Sequence, residues 1–455
     1  MNKPMRRKVA FIGGGGVRTP LVVFGINEAA EASGIEELVL FDPDDERVRI
    51  MTELGRAVVT QEGGSLRVRQ ATSIEDAVED AHFVMNSIRV GGIPARAHDE
   101  KVSIAQGYPG QETTGPGGVA MGLRTVRTAI EQARVVARLT PEAWLINFTN
   151  PAGLITQAIR HNSDAKVVGI CDTPTEMLHR IHTALGASSD EVRCEYVGLN
   201  HLGWIRKISL RGQDVTARLL MDDHFLAQLY SVSLFEHDLI RALGLIPTEY
   251  LFFYYSRRRA LENQRKQGST RGAEVEQLNV KLIATLQARL ASADGPGAIR
   301  TYVDYLNTRS GSYMKLEGSA GTALGAAEST AEDPFCAASG YHRIALDVMN
   351  ALTGVRPGRI VVNTTNAGAI DEVENGDIVE VSSMITKDKI VPEPCGPLPE
   401  AVRGLVLAVK AYERVAIQAA MQDSKLLARK AMLLYPAIGE WEPSKALLEN
   451  LIIHC

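Results

Sequence analysis

The sequence contains few cysteines and no long apolar run. Its 455 residues include five cysteines, which are widely spaced and form no CxxC pair, so a disulfide framework and a cysteine-rich zinc site are excluded. No apolar stretch reaches the length of a membrane span, and the apolar run at residues 9–12 is too short for a secretory signal. We therefore expect a cytoplasmic protein that has no membrane partner.

The chain also lacks a large excess of either charge. It has 49 basic and 54 acidic residues and a formal net charge of -5, which argues against a nucleic-acid partner. Hydrophobic residues make up 45% of the chain, so it can bury a full core without disulfide bonds. Its 40 glycines exceed the needs of a helical bundle and indicate many tight turns between strands and helices.

Short apolar strands alternate with helices in the first 180 residues. The predicted strands lie at 9–12, 38–42, 66–69, 82–90, 144–148 and 166–170. This alternation predicts an α/β fold with a doubly wound, Rossmann-type parallel sheet. After residue 171 the pattern loosens into mixed helices and strands. We therefore predict a dinucleotide-binding domain over 1–170 and an α+β domain over 171–455.

A glycine-rich turn joins the first predicted strand to the first helix. Gly13 and Gly15 fit the first two positions of a dinucleotide fingerprint, which lets the backbone approach a pyrophosphate. The third glycine is missing, and Arg18 stands in its place. Asp42 ends the second strand, where an acidic residue would bind the ribose hydroxyls of NAD and repel the extra phosphate of NADP. The alternatives are a plain tight turn and a helix cap at Asp42.

Polar residues also follow the fifth and sixth strands, where ligands of doubly wound sheets bind. Asn147 and Asn150 end the fifth strand, and Cys171 and Asp172 end the sixth. With His201 in a later turn, Cys171 offers a thiolate and an imidazole to one divalent metal. The alternatives are a buried small hydrophobe at Cys171, a hydrogen-bonded turn residue at His201 and a helix cap at Asp172.

The segment after the fourth strand is predicted to be a long irregular loop. Residues 89–118 include Arg89, Arg96 and Glu112 among many glycines. Long loops in compact domains usually bind ligands or act as lids, and arginines suit an anionic substrate. The alternative is a surface loop with solvated charges.

The whole chain resembles glycoside hydrolase family 4, whose members are glycosidases that depend on NAD and a divalent metal. The resemblance rests on motifs in matching order, at residues 13–20, 110–118, 147–151, 169–174, 198–201, 246–250, 254–255 and 269–271. The run Cys171-Asp172-Thr173-Pro174 resembles the phospho-glycosidase branch, because the α-galactosidase and α-glucuronidase branch has His after the Cys. Within it, the chain is identified as similar to the 6-phospho-β-glucosidases.

The resemblance implies hydrolysis of 6-phospho-glycosides, favouring 6-phospho-β-glucosides, with NAD and Mn²⁺ or another divalent metal as cofactors. It implies oxidation of the sugar at C3, removal of the C2 proton by a tyrosine, elimination of the aglycone, addition of water and re-reduction. By position the base is Tyr250, with Tyr254 and Tyr255 as alternatives. Asp172 is expected to protonate the leaving group.

The remaining site residues are assigned by position in the same way. The cofactor residues are Gly13, Gly14, Gly15, Val17, Arg18, Asp42, Asn86 and Asn147. The substrate residues are Arg89, Arg96, Glu112, Asn150 and Arg271, with Arg271 for the 6-phosphate. The metal ligands are Cys171 and His201. The second domain is expected to bind metal and substrate and to resemble the C-terminal domain of lactate and malate dehydrogenases, and the chain is expected to form a dimer or tetramer.

Three other functions stay open. Asp172 resembles the α-acting members and Val17-Arg18 replaces a more usual Ser-Tyr-type pair, which keeps open a 6-phospho-α-glucosidase or a glycosidase of unphosphorylated substrates. An NAD-dependent hydroxy-acid or sugar dehydrogenase would share the fold. A catalytically inactive nucleotide-sensing module would bind NAD without turnover.

Overall fold

The first half of the chain forms a doubly wound parallel sheet, as predicted. The computed structural model describes residues 7–230, 232–310, 334–335 and 340–451. The strands are β1 (Arg7–Ile12), β2 (Ile35–Phe41), β3 (Arg67–Gln70), β4 (Phe83–Asn86), β5 (Trp144–Asn147) and β6 (Lys166–Gly169). They lie in the order β3-β2-β1-β4-β5-β6, which is the strand order of a dinucleotide-binding fold.

Helices cover both faces of this sheet. They are α1 (Thr19–Ser33), α2 (Asp45–Gln61), α3 (Ile74–Val78), α4 (Gly92–Ala105), α5 (Gly115–Leu139), α6 (Ala152–Asn162) and α7 (Asp172–Leu185). Along β1, Val9 and Phe11 join one hydrophobic cluster, whereas Ala10 and Ile12 join the cluster on the opposite face. Burial on both faces explains why the strands are continuous apolar runs.

Helix α4 contradicts the prediction of a long loop after the fourth strand. Its 14 residues occupy the middle of the segment that we expected to be irregular. The helix was missed because its buried face is polar: Asp99, Glu100 and Ser103 are almost fully buried and are paired inside the protein. A search for apolar residues at helical spacing therefore finds no signal there.

The second half of the chain extends the same sheet. Strands β11 (Gly358–Thr365), β12 (Ile378–Thr386) and β13 (Lys389–Pro392) add to it in antiparallel order beyond β6. The junction is the pair Asn363 and Gly169, where a Cβ on the glycine would lie 2.9 Å from the Cβ of Asn363. The halves thus share one sheet, and the division at residue 170 stays a prediction.

A small antiparallel sheet carries the predicted turn at Asn200-His201. It consists of β7 (Val192–Leu199), β8 (Leu202–Leu210), β9 (Gln213–Asp214) and β10 (Ile246–Pro247). The β7–β8 hairpin reverses at Asn200 and His201, and His201 adopts a positive φ of 59°. The turn therefore holds the imidazole in a fixed direction.

The other described elements are mainly helical, as predicted for 219–291 and for 398–432. They are α8 (Thr216–Leu220), α9 (Asp223–Gln228), α10 (His237–Leu243), a 3₁₀ turn (Glu249–Leu251), α11 (Phe252–Tyr255), α12 (Arg257–Gln267), α13 (Arg271–Ala291), α14 (Gly295–Ser310), α15 (Tyr341–Leu352), α16 (Glu400–Gln422), α17 (Lys425–Leu434) and α18 (Trp441–Leu451). Within the described ranges, no helix is both long and apolar enough to cross a bilayer.

Candidate active site

The glycine turn after β1 is tightly packed against its neighbours. Gly13 has a φ of 91°, and a Cβ there would lie 2.2 Å from the carbonyl oxygen of Ser87. The N–H of Gly15 donates to Asp42 Oδ2 at 3.1 Å, so the end of β2 fixes the turn. Asp44, rather than Asp42, caps α2 by accepting from the N–H of Arg47. Burial raises the pKa of Asp42.

The other predicted cofactor residues lie around this turn and at the adjoining strand ends. Val17 is buried, and its carbonyl accepts from the hydroxyl of Tyr302 at 2.7 Å. Asn86 is fully buried at the end of β4, and among the described residues its Nδ2 has no hydrogen-bond partner. Asn147 instead uses its amide within its own turn, donating to Thr156 Oγ1 at 3.1 Å. Among the described residues the buried amide of Asn86 is thus unsatisfied, whereas that of Asn147 is bonded within its own loop.

Cys171 and His201 meet in space, although 30 residues separate them. Cys171 precedes α7, and its Sγ lies 3.4 Å from Nε2 of His201 in the β7–β8 turn. Burial lowers the pKa of His201 to about 3, so the imidazole is neutral at physiological pH, which is the form that binds metals. Burial and the negative charges of Glu380 and Asp172 raise the pKa of the Cys171 thiol.

The pair fits one shared divalent metal. Ligand bonds of about 2.0–2.3 Å, separated by roughly 90–110° at the ion, place sulfur and nitrogen about 3.1–3.6 Å apart, and the two atoms here are 3.4 Å apart. In the described part of the chain no group of three His, Cys, Asp or Glu side chains is arranged to hold an ion. Two protein ligands leave coordination positions for substrate or water, and an open position distinguishes catalytic from structural metal sites.

Of the three tyrosines considered as the base, Tyr250 is the one described in contact with His201. It is buried on the 3₁₀ turn, and its ring stacks on His201 with a centroid distance of 3.7 Å and an interplanar angle of 12°. The Tyr254 hydroxyl lies 2.8 Å from that of Tyr435, which ties it to another part of the core. Tyr255 is partly buried, and burial raises its pKa. The stacking on His201 distinguishes Tyr250 from the other two.

Arg89, Arg96 and Glu112 form one ionic cluster. The Glu112 carboxylate pairs with Arg89, and its Oε2 lies 3.0 Å from Arg96 Nη1. Burial alone would raise the pKa of Glu112, but the guanidinium groups of Arg89 and Arg96 hold it well below its usual range. Arg96 also donates to Glu100 at 2.7 Å, and Glu100 accepts from the N–H of Gly272. The cluster links α4 to the start of α13.

Arg271 begins α13 beside this cluster. Its Nη2 donates to the carbonyl of Arg309 at 2.5 Å, and its Nη1 lies 3.6 Å from Glu274. The Arg309 side chain donates in turn to the hydroxyl of Tyr305 at 2.9 Å. Sequence reasoning missed Arg309, because it stands near the end of α14 with no motif around it.

Asp172 is the first residue of α7 and faces the glycine turn. Its Oδ2 lies 3.6 Å from Arg18 Nη1, and the Arg18 guanidinium stacks over the ring of Tyr341 at 4.0 Å. Burial raises the pKa of Asp172, against the opposing charge of Arg18. Tyr341, which no sequence motif indicated, therefore joins α15 to the site.

Asn150 lies in the loop between β5 and α6. It is half-buried and forms a cis peptide bond with Pro151. The next N–H, of Ala152, donates to Asn200 Oδ1 at 3.0 Å. The loop that carries Asn150 is thus bonded to the residue preceding His201.

Two family models match almost the whole chain. The model described as "Family 4 glycosyl hydrolase" matches residues 8–187, and "Family 4 glycosyl hydrolase C-terminal domain" matches residues 196–438. Among curated proteins, a probable 6-phospho-β-glucosidase of Bacillus subtilis is 31% identical over 98% of this chain and 95% of its own length. A phospho-α-glucosidase of Clostridium acetobutylicum is 24% identical over 98% of this chain and 96% of its own length.

Solved structures agree with the fold. A 6-phospho-β-glucosidase from Thermotoga maritima, with NAD and glucose-6-phosphate, has a TM-score of 0.81, 26% identity and 98% coverage of both chains. A second structure of that enzyme contains manganese, NAD⁺ and glucose-6-phosphate. A Plasmodium falciparum malate dehydrogenase, at 13% identity, shares the fold with a TM-score of 0.51 over 93% of this chain and 99% of its own. The predicted kinship with the dehydrogenase fold is confirmed.

Proposed function

The chain belongs to glycosyl hydrolase family 4, and we propose that it hydrolyses 6-phospho-β-glucosides with NAD and Mn²⁺ as cofactors. As a member of this family it is a glycosidase. The observation that carries the proposal is the approach of Cys171 Sγ to His201 Nε2 at 3.4 Å, with Tyr250 stacked on the imidazole. The Thermotoga maritima enzyme, described with manganese, NAD⁺ and glucose-6-phosphate, supports the choice of cofactors and substrate.

In this proposal the protein supplies binding and proton transfer, and the cofactors supply the redox chemistry. When bound, NAD provides a hydride acceptor for the sugar C3, and the metal provides a Lewis acid for the neighbouring sugar oxygens. Cys171 and His201 would hold the metal. Gly13, Gly15 and Asp42 would bind the dinucleotide, together with the amide of Asn86, whose Nδ2 has no hydrogen-bond partner among the described residues.

We assign Tyr250 as the base that removes the C2 proton. Its ring stacks on His201, one of the two proposed metal ligands, and this contact supports the assignment. A phenolate at Tyr250 is attracted by the guanidinium groups of Arg18 and Arg96, which favours its formation. Burial raises the pKa of Tyr254, and its neighbours Tyr435, Tyr412 and Glu413 raise it as well, so a phenolate is disfavoured there.

Asp172 is our proposed proton donor to the leaving group. Burial raises the pKa of its carboxyl, which favours the protonated form that a general acid needs. Arg18 works in the opposite direction from 3.6 Å, but the effect of burial on the pKa of Asp172 is larger.

The substrate's sugar and phosphate would be bound by Arg89, Arg96, Glu112, Asn150 and Arg271. Arg271 stays our proposal for the 6-phosphate, because guanidinium groups match phosphate oxygens in pairs. One of its N–H groups bonds the carbonyl of Arg309, which fixes the side chain in place beside the ionic cluster.

The test is a comparison of four chromogenic substrates. The purified chain is incubated with NAD, Mn²⁺ and a reductant, and nitrophenol release is measured from the α- and β-glucosides, each with and without a 6-phosphate. We expect release from the 6-phospho-β-glucoside, no net NADH and complete loss in EDTA. Preference for the α-anomer would assign the chain to the phospho-α-glucosidases, which its 24% identity to one such protein keeps open.

Two other outcomes would refute the proposal. Steady NADH formation from a hydroxy acid or free sugar would indicate a dehydrogenase, and NAD binding without turnover would indicate an inactive module. A cytoplasmic location and a dimeric or tetrameric assembly remain predictions.

A further inference from the structure

Glu380 is a buried carboxylate near Cys171 and His201, the proposed metal ligands. Neither the sequence motifs nor the proposed chemistry gives it a role. It lies on β12 and is 1% exposed. Its Oε1 accepts from Asn200 Nδ2 at 3.1 Å and from Asn363 Nδ2 at 2.8 Å, and its Oε2 accepts from the Tyr196 hydroxyl at 2.6 Å. All three of these donors are neutral.

The three donors connect Glu380 to both sides of the pair. Asn200 directly precedes His201 in the hairpin turn, and it also accepts from the N–H of Ala152. Asn363 pairs across the sheet with Gly169, two residues before Cys171. One carboxylate therefore holds the segments that carry the thiol and the imidazole in a single hydrogen-bonded unit.

Two glycines, Gly203 and Gly169, leave room for the side chains that bind Glu380. Tyr196 reaches the carboxylate across Gly203, where a Cβ would lie 1.9 Å from the tyrosine hydroxyl. On the other side, a Cβ on Gly169 would lie 2.9 Å from the Cβ of Asn363. Side chains at these glycines would displace two of the three donors.

The charge around Glu380 is unbalanced. Burial, with a smaller contribution from the nearby Asp172 carboxylate, raises the pKa of Glu380 to about 7. Buried carboxylates are normally paired with a cation, and the contacts of Glu380 in the described chain are neutral. A divalent cation held by a thiolate and a neutral imidazole keeps an excess positive charge that this carboxylate would offset.

We propose that Glu380 is a positioning residue for the metal site, which holds the Asn200-His201 turn toward Cys171 and balances the charge of the bound cation. The proposal rests on the metal dependence proposed above. Outer-shell partners that orient metal ligands are often carboxylates, and their loss commonly weakens metal affinity about 10–100-fold.

The experiment measures Mn²⁺ binding rather than activity. The full chain is stripped with EDTA, saturated with NAD and titrated with Mn²⁺, and free Mn²⁺ is followed by electron paramagnetic resonance. E380Q keeps the shape of the side chain and removes its charge. Y196F is the matched control, because it removes one hydrogen bond to the same carboxylate and leaves the charge in place. Thermal unfolding in EDTA and NAD affinity are measured for each protein.

We expect E380Q to raise the Kd for Mn²⁺ about 10–100-fold, with NAD affinity unchanged, and Y196F to leave the Kd within about threefold of wild type. An unchanged Kd in E380Q, or an equal rise in both variants, would overturn the proposal. If E380Q does not fold, N200A removes the hydrogen bond between Glu380 and the turn that carries His201. An unchanged Kd for Mn²⁺ in N200A would also overturn the proposal. Failure of the proposed function differs from these results, because the wild-type chain itself would then bind no Mn²⁺.

Discussion

Replacing Tyr250 by phenylalanine removes one oxygen atom from the site and leaves its packing in place. The ring lies 3.7 Å from that of His201, and a phenyl ring keeps this stacking. We therefore expect Y250F to fold and to bind Mn²⁺ like the wild-type chain, with a change in the free energy of unfolding of about 1 kcal/mol or less.

The expected loss is confined to the chemical step. A positioned base contributes about 10²–10⁴-fold to a reaction rate, which corresponds to roughly 3–5 kcal/mol of activation free energy. The stabilisation of a phenolate by Arg18 and Arg96 disappears with the hydroxyl. We expect kcat/KM on a 6-phospho-β-glucoside to fall by about 10²–10⁴-fold.

The assay follows exchange at the sugar C2. Hydrolysis in deuterium oxide should place deuterium at C2 of the glucose 6-phosphate formed by the wild-type enzyme, and NMR spectroscopy should detect none with Y250F. Y254F is the control: it breaks the 2.8 Å contact with Tyr435, so it should cost about 1 kcal/mol of stability and keep the exchange. Exchange at the wild-type rate in Y250F would refute our assignment of the base.

Three further predictions concern the cofactors and the ionic cluster. C171S should raise the Kd for Mn²⁺ by at least about 10²-fold, because a hydroxyl replaces a thiolate ligand. Calorimetry measures this Kd, and NAD binding to the same variant is the control. Full activity of the wild-type enzyme in EDTA would contradict the prediction. D42A should weaken NAD binding and reduce the preference for NAD over NADP, because it removes both the negative charge and the acceptor for the N–H of Gly15. Fluorescence titration with each dinucleotide tests this. E112Q should lower the free energy of unfolding by roughly 2–3 kcal/mol at pH 7. Because Arg89 and Arg96 hold the folded-state pKa of Glu112 below its usual value of 4.5, the stabilisation is complete above that pH and shrinks as the pH falls below it; a urea-unfolding difference that stays constant from pH 7 to pH 3 would contradict the assignment.

The sequence made the parallel sheet predictable because its strands are buried on both faces. Val9 to Ile12 is apolar at every position, and the glycine turn and Asp42 stand where the strand order places them. The sequence alone could not show that Cys171 and His201 meet in space, and only the family resemblance paired them as metal ligands; the structure brings Sγ and Nε2 to 3.4 Å. The structure adds that Tyr250 is the tyrosine stacked on this pair.

The parts that were missed involve polar residues without a local pattern. Helix α4 hides its polar side chains inside ion pairs, so apolar spacing does not reveal it. Arg309, Tyr341 and Glu380 reach the site from distant points in the chain and stand in no motif. The antiparallel extension of the sheet was also missed, because pairing between β6 and β11 joins residues almost 200 positions apart, Asn363 and Gly169. Such contacts depend on tertiary packing, which a single sequence does not record.

Because the two halves of the chain share one sheet, they should not be stable when they are expressed separately. A fragment ending at residue 170 would leave β6 as an open edge, because β11, which pairs with β6 at Asn363 and Gly169, would be missing. Exposed apolar edges recruit other strands, so such a fragment should self-associate during expression. Exchanging halves between relatives would likewise require matched residues at positions 169 and 363, and chimeras are better joined in surface loops that leave this seam whole.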